Sequence, residues 1–275
     1  RRKNCKKELW NLPNGLYFQS RWKKFVNVYW RKNKLRAYEI NDIEKILKEN
    51  SYLGRGIIIG KSEDGKNAAV LYFIMGRSEN SRNRIFSFKD NVLYTEPFDK
   101  NKAINPELII YAALREYKNK LIITNGDHTD TIYEGLKKGI DFEESLKVRK
   151  FEPDAPNFTA RISGILYFEN NDFSYKMSVL KSANKEGTAC HRYAFNYEAL
   201  CGEGHFIHTY SGDGNPLPPF YGEPKKIKIP NDMDEFANKI WKALNEENKI
   251  SLFARYIDLK TGEKVDRIIN KNKYD

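Results

Sequence analysis

The chain has 275 residues, 40% of them hydrophobic, enough for one large domain or two small ones with a sizeable core. No apolar run approaches the ~18–20 residues of a membrane-crossing helix, and none follows the basic start as a signal peptide requires. Three cysteines (Cys5, Cys190, Cys201) without CxxC spacing argue against a disulfide framework or structural zinc and for a reducing, cytoplasmic setting. The formal charge of +11 first suggests nucleic acid, but residues 1–36 hold 12 Lys/Arg against one acid, Glu8, and carry +11 alone. The other 36 basic and 36 acidic residues balance, so no nucleic-acid partner is expected for the main domain.

Residues 1–36 are read as a basic extension of a single domain, 37–275. The extension holds three of the four tryptophans (Trp10, Trp22, Trp30) and the string "LYFQS" at 16–20, which resembles the end of a protease-cleavage tag although Asn14 stands where that site wants Glu. It reads as a tag or gene-start remnant, as an aromatic basic arm for RNA or membrane, or as a plain extension packing on the domain.

Asn41 is expected to cap a helix over 42–50, with Glu44 completing a capping box. "GRGIIIG" (54–60) and "AAVLYFIM" (68–75) read as strands around the Asp64-Gly65 turn. A second hairpin, 107–117 and 120–124, turns at Lys118-Asn119. Helices follow at 131–138 and 141–149, then strands at 161–168, 173–180, 192–198 and 204–210. A Pro/Gly-rich loop fills 212–224 and is long enough to act as a lid or binding loop. An amphipathic helix at 232–244 precedes a closing hairpin, 250–259 and 264–270. About nine strands with three or four helices make an α+β protein. "GIIIG" is apolar on both faces, so two antiparallel sheets between helical layers, a four-layer α-β-β-α sandwich, are expected.

Three stretches could carry chemistry. "GRSENSRNR" (76–84) sets Arg77, Arg82 and Arg84 among Ser and Asn, donors that suit a phosphate, or it is a solvated loop. "TNGDHTDTI" (124–132) crowds Asn125, His128 and Asp130 into a strand-to-helix turn. Such turns hold anions or position catalytic groups, or simply cap the helix through Asp130 or Thr129 with Gly126 left-handed. "FEPDAPNFTAR" (151–161) brings Glu152, Asp154 and Arg161 into one loop, or is a surface crossover. His205 and His208 sit three apart on a strand and point to opposite faces, which disfavours a shared metal. Cys190 beside His191 reads as a structural cysteine.

At these residues the chain resembles the archaeal-type IMP cyclohydrolases and their bacterial relatives. "YLGRGIIIGKSEDGKNA", "NSRNR", "IIYAALR", "TNGDHTDTI" and "ARISGI" occur in that family's order over about 51–270. The resemblance implies a fold like the N-terminal nucleophile hydrolases without a terminal nucleophile. It also implies closure of 5-formamidoimidazole-4-carboxamide ribotide to IMP in purine synthesis. The implied catalytic positions are Tyr111, Asn125, His128, Asp130 and Glu152; those implied to bind substrate are Arg55, Asn83, Arg84 and Arg161. Arg77 and Arg82 lie where the loop departs from the archaeal pattern, and the tail beyond about 200 is longer and does not map. No metal or cofactor is implied, and the partners are a purine ribotide and possible further copies of the chain. Two other readings stand beside the enzyme. One is a ribotide-binding protein of the same fold without catalysis. The other is an amidohydrolase that would need cleavage after Asn50 to expose Ser51.

Overall fold

The computed structural model describes residues 38–102 and 110–273. β1 (Arg55–Lys61) and β2 (Asn67–Met75) form the expected hairpin at Asp64-Gly65. They stand at the centre of a six-stranded antiparallel sheet with β10 (Glu203–His208), β11 (Lys225–Lys228), β12 (Lys249–Asp258) and β13 (Lys264–Asn270), in the order β11-β10-β1-β2-β12-β13. The second sheet runs in chain order through seven antiparallel strands. These are β3 (Ile85–Lys89), β4 (Val92–Glu96), β5 (Tyr111–Tyr117), β6 (Lys120–Thr124), β7 (Arg161–Glu169), β8 (Asp172–Ser182) and β9 (Cys190–Glu198). Consecutive strands pair because their turns are tight: Asp90-Asn91 and Asn170-Asn171 take positive φ, which Asp and Asn tolerate best after glycine.

The helices are α1 (Ile43–Lys48), α2 (Glu79–Arg82), α3 (His128–Lys137), α4 (Phe142–Leu146) and α5 (Met233–Ala243). Asp42, not Asn41, caps α1, its carboxylate accepting from the N–H groups of Glu44 and Lys45, while Asn41 bridges to Ile227. The chain divides after Ile40, and residues from Asn41 onward form one compact unit. The readings of residues 1–36, Cys5 among them, fall outside the described residues, as does the first part of the strand expected at 107–117. Among the described residues no helix is long and apolar enough to cross a membrane, and Cys190 and Cys201 are free.

Alternation along β2 explains the layering. Ala68, Val70, Tyr72 and Ile74 belong to the apolar cluster between the sheets; Ala69, Leu71, Phe73 and Met75 belong to the one beneath α1 and α5. A third cluster joins α3 and α4 to β6, β7 and β8 through Ile132, Phe142, Leu146 and Ile165. Each large side chain so buried contributes about 1.5–3 kcal/mol. The sheets approach closely at Gly164 of β7. A Cβ there would lie 2.3 Å from Ile59 Cδ1 and 3.2 Å from Ile123 Cγ2, so a larger residue would have to push aside the end of the Ile59 side chain. Nearer one end of the inter-sheet space, Arg255 of β12 is 2% exposed. Its Nε and Nη2 donate to the two carboxylate oxygens of Asp266, and its Nη1 donates to Glu116 of β5 in the other sheet, all at 2.7 Å.

Candidate active site

The other end of that space gathers polar groups. Gly54, at φ +75°, precedes Arg55; a Cβ on it would fall 2.2 Å from Thr209 Oγ1, so only glycine permits the approach. Arg55 N–H then donates to Thr209 Oγ1 (3.1 Å) and its carbonyl accepts from Thr209 N–H (3.0 Å), fixing the first residue of β1. Strand alternation gives Arg55 the same face as Ile57 and Ile59, towards the second sheet. Tyr72, two residues from Arg55's β-partner Ile74, shares that face, and its hydroxyl meets that of Tyr111, the first residue of β5, at 2.8 Å.

Arg84 is placed by the segment before β3. Ser78 and Ser81 form the capping box of α2, and Asn83 closes that helix. The Asn83 carboxamide donates to Asp99 O and accepts from Asp99 N–H, both 2.7 Å, so it holds the chain rather than opening to a ligand. Arg84 follows, buried. The three arginines of "GRSENSRNR" therefore part company. Arg77 pairs with Asp213 and lies over the Tyr52 ring, and Arg82 donates to Gly76 O and Asn248 Oδ1, so the three do not form one phosphate cradle.

Glu152 stands in the loop between α4 and β7, its N–H bound to Thr159 O (2.9 Å). Asp154 turns back onto Thr159 N–H and Oγ1, and Thr159 Oγ1 also meets the Tyr210 hydroxyl. Tyr210 stacks on Tyr52 at 5.7 Å. The 212–224 loop packs on these walls: Leu217 N–H donates to Asn157 Oδ1, and Asp213 accepts from Ser51 Oγ, an ordinary hydrogen bond for that serine.

The electrostatics follow from burial. Burial opposes the charge of Arg55, but Glu152, with Tyr210, Tyr111 and Tyr52, favours it more, and the guanidinium is held well above its usual range. Arg84 is pushed down, first by burial and then by the charge of Arg55. Burial also pushes the Glu152 carboxyl up, against the pull of Arg55 and Arg161. Among the described residues Arg55 Nε, Arg84 Nε and Arg84 Nη1 are buried without a hydrogen-bond partner, and Glu152 forms no ion pair. Buried donors of this kind are uncommon, because each unmade bond costs about 1–3 kcal/mol.

The "TNGDHTDTI" turn is the reverse case. Asp127 is the N-terminal cap residue of α3, but its carboxylate serves Arg149 and Arg161 instead of the helix; neither Asp130 nor Thr129 caps it. Gly126 is not left-handed; it is glycine because Arg161 Nη1 passes 2.6 Å from where a Cβ would be. Asn125 donates to Ala160 O (3.0 Å) and accepts from Ile162 N–H (2.8 Å). His128 Nε2 meets Ile162 O and its Nδ1 faces Arg161 Nη1, both at 3.2 Å. Burial, then Arg161, holds this imidazole well below its usual pKa, so it is neutral, with Nε2 donating and Nδ1 accepting. Asp130 pairs with Arg115 at 2.8 Å on the helix-covered side of the second sheet, opposite the face that carries Tyr111. Of the nine residues implied by the resemblance, the structure brings Arg55, Arg84, Tyr111 and Glu152 together and extends the charge of Arg161 to them. It sets Asn83, Asn125 and His128 behind them and Asp130 elsewhere. Tyr72 and Tyr210 were missed; the lone hydroxyl in "AAVLYFIM", on the face Arg55 shares, was the available signal for Tyr72.

His205 and His208 do diverge: His205 Nδ1 meets the Tyr175 hydroxyl (2.6 Å) and His208 Nδ1 faces Tyr210 O (2.7 Å). Burial lowers each to about 4.

Two antiparallel sheets thus enclose a buried site of guanidinium, carboxyl and phenol groups suited to acid–base chemistry on an anion. A family described as IMP cyclohydrolase-like protein matches residues 52–263. Proteins named IMP cyclohydrolase are similar to this chain in Methanococcus aeolicus (29% identity, 47% of this chain and 69% of that one), Haloquadratum walsbyi (34%; 42% and 56%) and Methanococcus maripaludis (31%; 48% and 70%). The chain belongs to the IMP cyclohydrolase-like protein family.

Proposed function

We propose that this protein is an IMP cyclohydrolase, closing 5-formamidoimidazole-4-carboxamide ribotide to IMP with loss of water, in the cytoplasm and without metal or cofactor. The observation that carries the reading is the pair of buried guanidiniums, Arg55 and Arg84, with unmet donors beside Glu152 and Tyr111. The three packed clusters support the finer fold reading, a four-layer α-β-β-α sandwich like the N-terminal nucleophile hydrolases.

The reacting groups sit on neighbouring ring carbons of the substrate, so proximity is largely supplied by the substrate itself. What remains is proton traffic and charge. As the carboxamide nitrogen bonds to the formyl carbon it loses one proton, and the formyl oxygen gains one. The formamide nitrogen then loses its proton as that hydroxyl, protonated again, leaves as water. Glu152 takes the first proton; burial, which raises its pKa, makes its carboxylate a stronger base. Arg55, nearest in charge to Glu152 and Tyr111, stabilises the oxyanion, and Arg84 anchors the phosphate.

The Tyr72–Tyr111 bond has a direction. Tyr72 is fully buried and Tyr111 is its only hydroxyl partner among the described residues, so Tyr72 must donate or leave its own O–H orphaned. Burial, then Tyr111, keeps Tyr72 protonated. Tyr111 accepts, and its proton is free to go to the formyl oxygen. Asn125, His128 and Arg161 position the Glu152 loop.

The test is turnover: the protein mixed with the formamido ribotide, after exhaustive chelation, should generate IMP absorbance. Tyr111→Phe should lower kcat by about 10²–10⁴, and Tyr72→Phe by less, with KM little changed. Binding of IMP without turnover would leave only the non-catalytic ribotide-binding reading.

A further inference from the structure

The two sheets have four edges, and the fold closes three of them. β3 and β13 are stapled to each other: Asn270 Oδ1 accepts from Phe86 N–H (2.9 Å) and Asn270 Nδ2 donates to Phe86 O (3.0 Å). β11 is covered by Asn41, whose N–H and Nδ2 both donate to Lys226 O. β9 is the fourth. It pairs with β8 over its whole length, and on its other side none of its backbone groups has a backbone partner among the described residues. Nine residues of open edge hold no proline, glycine, lysine or bulge, so only Arg192 and Glu198 stand against strand addition, and their signs are opposite. Arg192, Ala194, Asn196 and Glu198 are exposed on one face, and Phe195 and Tyr197 pack half-buried on the other.

We propose that β9 pairs antiparallel with β9 of a second copy of this chain, across a two-fold axis at Phe195, joining two seven-stranded sheets into one. The charges select this occupant and this register. Arg192 lies three residues before Phe195 and Glu198 three after, so a two-fold axis there sets Arg192 of each copy directly opposite Glu198 of the other, on the same face. The same register puts Tyr193 opposite Tyr197. Antiparallel self-pairing centred on any other residue loses the charge match. The strand carries one Arg and one Glu, so the contact does not bring together the excess positive charge of the whole chain. A two-fold contact of this kind uses the same strand on both sides and closes without propagating.

The experiment is sedimentation equilibrium on the full chain. The wild type should have about twice the 32.2 kDa of one chain. Arg192→Glu and Glu198→Arg should each weaken the dimer at least tenfold, and the double charge swap should restore it. Because Arg192 also donates to Lys147 O and Arg149 O, Glu198→Arg is the independent arm, with circular dichroism confirming the fold of each variant. Three results overturn the proposal: a wild-type monomer, a dimer indifferent to both single substitutions, or single variants that the double swap does not rescue. A monomer whose outward β9 amides resist hydrogen exchange would assign the edge to another segment of this chain and overturn it equally.

Discussion

Along β5, Glu116 meets Arg255 at one end and Tyr111 faces Arg55 and Arg84 at the other, and the two ends treat a buried guanidinium in opposite ways. Arg255 spends its fork on Asp266 and Glu116 and ties one sheet to the other. Arg84 is equally buried yet has two nitrogens without a partner among the described residues. A desolvated guanidinium is tolerable only when its hydrogen bonds are made. The first end makes them within the protein; at the second they are unmet among the described residues, and the proposed function assigns them to a ligand. Polar crowding and unused donor capacity therefore point to different places: Asn125, His128 and Asp130 of the "TNGDHTDTI" turn are bonded within the protein, whereas Arg55 and Arg84 hold unmet donors.

Substitutions at four residues break or sharpen this contrast. Glu152→Gln, which leaves the shape and removes the base, should lower kcat by about 10²–10⁴ with KM nearly unchanged. The acid limb of the wild-type pH–rate profile should fall as pH drops through a Glu152 pKa above the ordinary 4.5, and the limb should vanish in the variant. At the opposite end, Arg255→Ala should cost about 3 kcal/mol in urea unfolding, because Asp266 and Glu116 lose their partner. Its kcat/KM per folded molecule should stay within a few-fold; a hundredfold loss would show that the two ends are not separate. Arg84→Ala should cost about 10- to 150-fold in kcat/KM, chiefly in KM, with Arg84→Lys recovering only part because an ammonium lacks the planar fork. Arg84→Met should make the ligand-free protein more stable by about 1 kcal/mol, since an unsatisfied buried charge disappears; a loss of stability there would mean that Arg84 is bonded like Arg255.

The smallest effect belongs to the turn. His128→Gln should destabilise by about 1–3 kcal/mol and leave kcat/KM within tenfold. The sign of its pH dependence follows from its depressed folded pKa. Above 6.5 neither folded nor unfolded His128 holds a proton. Below 6.5 the unfolded chain takes one that the folded chain refuses, so stability falls with pH by up to about 1.36 kcal/mol per unit. His205 and His208, lowered to about 4, add to the same slope between 6.5 and about 4. Unfolding measured from about pH 7 to about pH 5 should therefore show a shallower slope in the variant.

Most of the sheet was legible because β1, β2 and β7 are short apolar runs bounded by turn residues and β8 alternates with period two. The β3–β4 hairpin was not: it follows an arginine-rich segment and turns on Asp90-Asn91 without a glycine, so its signal merged with the loop. β11 is four residues, three of them lysine, and reads as loop by composition. α3 begins at His128 rather than 131 because its first turn is polar and the apolar period starts at Ile132. At the site, Arg55, Arg84, Tyr111 and Glu152 came from a family's motif order. Their grouping depends on which faces of two separate sheets oppose each other, and one strand's pattern does not state that. For Asn125, His128 and Asp130 the sequence displays polar side chains without displaying the carbonyls and guanidiniums that bond them in the fold.

Gly164 puts a side chain of one sheet against the backbone of the other. The end of Ile59 fills the space a Cβ would need, so a residue larger than glycine would press first on Ile59 and only through it on β1. Arg55 lies four residues from Ile59 on the same strand, roughly 13 Å away at strand rise. Whatever part of that pressure β1 transmits reaches the guanidinium, where a hydrogen bond tolerates little lengthening.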